Sequence, residues 1–200
     1  GKDASRDAGG GQAKPDVRLV SIQRLLRRGA ITNLAKMLAR MHPADIANVI
    51  DHLSSLKEKR EIFELVRGDV KRGQVLSELD GESITLVLSD LLPSDAAWLL
   101  KDLGSDDIAY ILSVIPNDRA KEILALMRTE DSTEIADLLK YPKGTAGGIM
   151  TTEFFALFED ATAQEAIRRL QQATDAEMVF YIYVTDKEDR LVGRLSLRQL

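Results

Sequence analysis

The stretch that decides the fold is ITLVLSDLLPSDAAWLLKDLGSDDIAYILSVIPNDRAKEILALM, residues 84–127. Its apolar residues recur at positions i, i+3, i+4 and i+7, the spacing that places side chains on one face of an α-helix. The pattern restarts every twelve residues, in four blocks: Ile84, Val87, Leu88 and Leu91; Ala96, Leu99, Leu100 and Leu103; Ile108, Ile111, Leu112 and Ile115; Ala120, Ile123, Leu124 and Met127. The sequence therefore predicts a series of short amphipathic helices.

Residues that end or cap helices separate these blocks. They are Asp80-Gly81, Pro93-Ser94, Gly104-Ser105 and Pro116-Asn117. Since Pro and Gly end helices and Asp, Ser and Asn cap them, we expect a new helix to begin at each pair. A helix of about nine residues is only ~13 Å long and marginally stable alone, so such helices must stack on one another. We predict an all-helical superhelical repeat domain of HEAT-like units, each about 12 residues long, over residues 17–140.

The pattern changes after Tyr141. A glycine-rich connector is followed by a predicted short strand at 154–158 and a helix that opens with the capping box Thr162–Glu165. A buried strand at 179–184 and a strand at 191–196 come next, and Leu197–Leu200 resembles the first turn of an incomplete helix. The chain is therefore expected to be multidomain, α and then α/β. A disordered tail (1–16) and the repeat domain (17–140) precede a linker and a β-α-β-β-α unit (141–200).

Composition narrows the function classes. The chain has no cysteine, which excludes disulfides and a Cys-ligated zinc site. Its net charge is −5 and its basic residues are scattered among acids, so we expect no nucleic-acid partner. No apolar run approaches the roughly 18 residues that cross a bilayer. The sequence also lacks a glycine-rich phosphate loop, a Ser/His/Asp set and paired catalytic carboxylates, and we expect no enzyme.

Two family resemblances follow from these segments. The second unit resembles a CBS domain in its Met150-Thr151 start, in Tyr181–Asp186 and in Leu191–Ser196. The first unit, with the connector Thr145–Thr151, resembles the N-terminal domain of MgtE-type magnesium transporters. The combination implies a cytosolic regulatory region, truncated within the first CBS domain, on the cytoplasmic side of the inner membrane. The resemblance also implies a homodimer whose further partners are the second CBS domain and the transmembrane pore domain of the same full-length chain.

The resemblance implies regulatory Mg²⁺, bound between acidic faces so that domain closure keeps the pore shut. Asp106 matches an acid implicated in sensing, and Asp107 is its neighbour. Mg²⁺ prefers oxygen ligands and is usually held by one or two carboxylates and several waters, which suits such residues. The alternative is that both acids only complement the start of a helix. Gln74 and Tyr110 stand where the family pattern can carry acids, so any sites there are expected to be lost or rearranged.

An adenine nucleotide is a second ligand that the CBS resemblance implies. Tyr181 could stack on the base and Arg198 could meet a phosphate, whereas Gln199 stands where an Asp would hold the ribose. The alternative is that these residues belong to a core strand and an exposed helix start.

A rival function belongs to a different class. Similar short helical repeats occur in the middle domains of flagellar rotor proteins, which would make this chain a protein-interaction scaffold. Helices in place of the strands predicted at 179–184 and 191–196 would favour that alternative.

Overall fold

The structure, a computed structural model, describes residues 17–142, 144–152, 154–172, 181–196 and 198. The predicted tail at 1–16 lies outside the described residues, as do the start of the strand predicted at 179–184 and most of the helical turn predicted at 197–200. The chain divides into two compact units, one ending at Leu91 and one beginning at Leu92. The domain boundary predicted after residue 140 stays a prediction.

The first unit is a stack of short helices. They are α1 (Val17–Arg27), α2 (Ile31–Arg40), α3 (Pro43–Asp51), α4 (Leu56–Leu65), α5 (Asp69–Ser77) and α6 (Gly81–Asp90). Helix α3 packs on α5, and α4 packs on α6, so each helix contacts the one two positions along the chain. The apolar stripes meet in a core of fully buried side chains, including Leu34, Ile46, Ile62, Leu76, Ile84 and Leu88.

The second unit begins with four more helices of the same kind. They are α7 (Pro93–Leu100), α8 (Ser105–Val114), α9 (Asn117–Leu124) and α10 (Thr129–Leu138). Helix α7 packs on α9, and α8 packs on α9 and α10. From α6 to α10, the first helical residues are 81, 93, 105, 117 and 129, each twelve after the last. The predicted helical period is therefore confirmed.

The capping prediction was only partly right. Asp80 caps α6, where its Oδ1 accepts a hydrogen bond of 2.7 Å from the Ser83 amide. At α7, α8 and α9 the residue in the capping position is Leu92, Gly104 or Pro116, and none gives a side-chain cap. Helix α7 starts two residues earlier than capping by Ser94 would require, and α8 and α9 start one residue earlier than capping by Ser105 and Asn117 would require. Those side chains therefore lie inside the first turn and are available for other contacts.

A small sheet completes the second unit. A 3₁₀ turn (Gly147–Ile149) precedes β1 (Ala156–Phe158), α11 (Ala163–Gln172), β2 (Tyr181–Thr185) and β3 (Leu191–Ser196). The strand order is β1-β2-β3, with β1 parallel and β3 antiparallel to β2, so the predicted β2–β3 hairpin is confirmed. One bond of the predicted capping box is present, because the Glu165 amide donates to Thr162 Oγ1 over 3.2 Å, whereas Glu165 Oε1 accepts from the Arg169 guanidinium.

The second strand is less buried than the sequence predicts. Only Ile182 of β2 is buried, and it forms a small core with Leu157 of β1 and Ala166 of α11. Helix α11 covers one face of the sheet, whereas Tyr181 on β2 and Leu191, Val192 and Leu195 on β3 are exposed. An apolar and aromatic run predicts strand structure, but burial depends on what covers each face.

Candidate functional site

The first predicted metal residue, Asp106, lies in the first turn of α8. It lines a cavity of about 150 Å³ between α8, the end of α10 and the connector that leads to the sheet. The other lining residues include Tyr110, Ser113, Tyr141, Gly148 and Met150. The repeat domain and the connector thus build this cavity together, and among the described residues Asp106 is the one carboxylate that lines it.

Asp106 and Asp107 differ in their position relative to the cavity. Asp107 lies in the same first turn but does not line the cavity. In the part of the chain that the structure describes, no group of three or more His, Asp or Glu side chains is arranged to hold a metal ion. A single carboxylate fits Mg²⁺ as one ligand among waters or acids from elsewhere.

Tyr110 shares this cavity with Asp106. It lies one turn further along α8, is about half exposed, and contributes a phenol ring where a second acid would add a carboxylate. The cavity therefore has less negative charge than a two-carboxylate site.

Sequence reasoning missed a polar cluster beside Asp106. The Ser105 hydroxyl donates to Glu134 Oε1 over 3.1 Å, and the Thr152 hydroxyl donates to the same oxygen. Ser105 Oγ and Thr152 Oγ1 are 2.9 Å apart. Ser105 belongs to α8, Glu134 to α10 and Thr152 to the connector. Along the chain, Glu134 lies 29 positions and Thr152 lies 47 positions after Ser105. No local sequence signal joins residues so far apart.

The predicted nucleotide residues lie at the start of β2, the central strand, and just after the end of β3. Tyr181 begins β2, is 44% exposed and pairs with Ser196 of β3. Arg198 is exposed and follows Ser196 by two positions. The guanidinium of Arg194 lies 4.9 Å from the centre of the Tyr181 ring. This cation–π contact already covers the ring, so a base would have to stack on the other side or displace Arg194.

A second acidic region contains Asp186, which is unsuited to bind a metal ion because its carboxylate already accepts hydrogen bonds from Arg190. A cavity of about 520 Å³ at the carboxyl ends of β1 and β2 is lined by Glu159, Asp160 and Asp186 among others. The Arg190 amide donates to Asp186 Oδ1 over 2.9 Å, and its guanidinium donates to Oδ2 over 2.8 Å. These bonds hold the pKa of Asp186 below its ordinary value. Its carboxylate fixes the turn between β2 and β3.

Trp98 lies at the surface of α7 rather than in the core. Its side chain is 55% exposed, and Lys101 Nζ lies 3.3 Å from the centre of its ring. The apolar stripe of α7 is instead formed by Ala96, Leu99 and Leu100, which are buried. Trp98 lies outside that stripe, so the helix turns it to the surface.

None of the helices that the structure describes is long and apolar enough to cross a membrane.

Strands at 181–185 and 191–196, rather than helices, argue against the flagellar-rotor alternative.

Comparison with known proteins gives matches along most of the chain. Residues 41–144 match the family model of the MgtE intracellular N domain, and residues 146–200 match that of the CBS domain. The magnesium transporter MgtE of Thermus thermophilus is 48% identical over 64 residues, which are 32% of this chain and 14% of that protein. The magnesium transporter MgtE of Bacillus subtilis is 28% identical over 177 residues, 88% of this chain and 39% of that protein. The chain thus spans less than half the length of these relatives.

Two solved structures share the fold. One is the crystal structure of the cytosolic domain of the Mg²⁺ channel MgtE in complex with ATP, 33% identical with a TM-score of 0.77. The match covers 90% of this chain and 73% of that one. The other is the crystal structure of the soluble part of a magnesium transporter, 26% identical with a TM-score of 0.70, covering 90% and 71%. The chain therefore belongs to the MgtE family, with residues 41–144 corresponding to its intracellular N domain and residues 146–200 to a CBS domain.

Proposed function

We propose that this chain is the cytosolic Mg²⁺-sensing regulatory region of a magnesium transporter and that it gates transport by ion-dependent domain closure. The observation that carries the proposal is the position of Asp106, in a cavity between the repeat helices and the connector to the CBS domain. The names of the relatives, magnesium transporters and a Mg²⁺ channel, support the choice of ion.

The mechanism rests on a difference in affinity between two conformations. Asp106 supplies one carboxylate, and Asp107 in the same turn adds negative charge to the local potential. Mg²⁺ bound there stabilises the closed arrangement when its remaining ligands, waters or acids of another domain, are brought near. Reversing a gate from mostly open to mostly closed takes on the order of 5 kcal/mol of differential binding. One hydrated carboxylate site supplies less than that, so several sites per dimer must act together.

The end strand β3 supports the proposed partners. Its residues Leu191, Val192 and Leu195 are exposed apolar side chains, with Leu195 on the same face as Ile182 of the small core and Val192 on the other face. A second CBS domain of the same full-length chain would cover these side chains and remove them from water. The same proposal includes a homodimer, contact with the transmembrane pore domain of the full-length chain, and a location on the cytoplasmic side of the inner membrane. It includes no catalytic step.

An adenine nucleotide is the second proposed ligand. A solved relative was crystallised with ATP. Tyr181 offers a ring, and Arg198 offers a positive charge two residues after Ser196, the register partner of Tyr181. Without an acid at position 199 the ribose would lose a charge-assisted hydrogen bond, so the affinity is expected to be low.

The experiment that tests Mg²⁺ binding directly is an NMR titration of this chain with MgCl₂ against KCl of equal ionic strength. The site would be supported by saturable chemical-shift changes at residues 105–110 on addition of MgCl₂. KCl should not produce these changes, and Asp106→Asn should abolish them. The matched control is Asp118→Asn, the acid at the same position in the first turn of α9. Equal responses of the wild type and of Asp106→Asn would contradict the assignment.

A further inference from the structure

The Glu134 carboxylate joins three segments of the second unit through one oxygen. Its Oε1 atom accepts from the hydroxyls of Ser105, at the start of α8, and of Thr152, at the end of the connector. Each hydroxyl has a single proton, so both protons can be directed at the carboxylate, and the 2.9 Å contact between the two hydroxyl oxygens is secondary. Hydrogen bonds to an ionised acceptor are about twice as strong as those between neutral groups.

The surroundings of this carboxylate make the contacts costly to lose. Ser105 is only 7% exposed, and Glu134 and Thr152 are partly buried. Without Glu134, the Ser105 hydroxyl would remain buried with a weaker set of partners. The residue that precedes α8, Gly104, provides no side-chain cap, so the negative charge of Glu134 also compensates the positive end of this helix.

Two further contacts hold the same connector on the helices. The 3₁₀ turn at Gly147–Ile149 contacts α8, and Gly147 lies directly on the ring of Tyr141, which follows α10. Residues 144–152, although they lie between the repeat helices and the CBS sheet, are thus held against the helices at residues 147–149 and at Thr152.

We propose that Glu134 is a latch that fixes the connector, residues 144–152, to α8 and α10, so that the rigid helical body extends to Thr152. Any pivot between the repeat helices and the CBS sheet then lies after Thr152, not at the glycines of the connector. The cavity that contains Asp106 consequently keeps its shape while the sheet moves. This role of Glu134 does not depend on Mg²⁺ binding.

Amide hydrogen exchange at Gly148 and Ile149 tests the latch. Their amides donate to Thr145 and Ala146 within the connector, so their protection reports how firmly the connector is held. We expect Glu134→Ala and Thr152→Val each to accelerate exchange at both amides by about tenfold. Exchange at Val49 and Ile50, buried in α3, should stay unchanged. The double variant should exchange no faster than the faster single variant, because both changes break the same contact.

Glu130→Ala is the matched control, because Glu130 lies on the same helix in an exposed position. Should Glu134→Ala fail to fold, Thr152→Val still carries the test, since it removes one hydroxyl and keeps the shape of the side chain. Unchanged exchange at Gly148 and Ile149 in Thr152→Val would overturn the proposal. Equal acceleration in the connector and in α3 would overturn it too, because the effect would then be a general loss of stability.

Discussion

Gly147 lies so close to the ring of Tyr141 that no larger residue fits at this position. A Cβ atom at Gly147 would be 2.7 Å from Cγ and 2.9 Å from Cε1 of the tyrosine. Carbon atoms attract one another at about 3.5–4.0 Å and repel strongly at shorter separations. The contact joins the end of the repeat helices to the connector and forms one wall of the cavity that contains Asp106.

Gly147→Ala should therefore destabilise the second unit. We expect a loss of about 1–3 kcal/mol, the usual cost of overpacking. Thermal and urea unfolding of the variant measure it. Adding Tyr141→Ala should recover part of the loss, since the smaller side chain makes room for the new methyl group. An unchanged melting temperature in Gly147→Ala would show that the ring moves aside without cost.

Lys71 should be a stabilising residue of the first unit. Its Nζ atom donates to the carbonyl oxygens of Leu38, Ala39 and Met41, at 2.9, 3.2 and 2.7 Å, at the end of α2. The Leu38 oxygen also accepts from the Met41 amide over 3.2 Å. A positive charge at the end of a helix complements the helix dipole. Lys71→Met should lower the free energy of unfolding by about 2 kcal/mol. Lys57→Met is the control on an exposed lysine, and an equal effect of both changes would contradict the assignment.

The cap at Asp80 should make stability depend on pH. Partial burial raises the pKa of Asp80, but the hydrogen bonds from Ser83 and the charge of Lys59 outweigh it, so the pKa lies below its ordinary value. Because the folded state holds the proton less tightly than the unfolded state, this stabilisation is present above the ordinary pKa of about 3.9. It is lost as the pH falls through the lower, folded pKa.

Asp80→Asn tests this dependence, since the amide oxygen can still cap α6 while its charge is gone. The loss of stability of the wild type relative to Asp80→Asn should be confined to pH values below about 4. Asp80→Ala, which removes the cap, should cost about 1 kcal/mol at neutral pH. Parallel melting curves of the wild type and Asp80→Asn across the acid range would contradict the account.

Nucleotide binding should depend on the Tyr181 ring and on Arg198. Tyr181→Ala should weaken ATP binding by about tenfold, because stacking on a base contributes roughly 1–3 kcal/mol. Arg198→Ala should weaken the binding of ATP more than the binding of adenosine, because adenosine has no phosphate. Arg168→Ala, on the exposed face of α11, is the control. Isothermal titration calorimetry gives the affinities, and an unchanged affinity in Tyr181→Ala would exclude stacking on this ring.

Periodicity predicted the helices well because each unit repeats the same local pattern. The starts of α7, α8 and α9 at Pro93, Ser105 and Asn117 fall at the predicted breaks. The role of Ser105 was not predictable, since its partners come from distant segments and its capping propensity suggested a local bond. Likewise, the exposure of Tyr181 depends on which face of the sheet α11 covers, and a strand pattern does not contain that information.

The measurement that tests the central claim most directly is a thermal-melt titration with MgCl₂, matched in ionic strength by KCl, for the wild type and Asp106→Asn. A site filled to one hundred times its dissociation constant adds about 2.7 kcal/mol of stability. We predict a rise in melting temperature that is specific to Mg²⁺ and weaker in Asp106→Asn, with Asp118→Asn behaving as the wild type. The same rise in MgCl₂ and KCl, or one that Asp106→Asn leaves intact, would contradict Mg²⁺ sensing at Asp106.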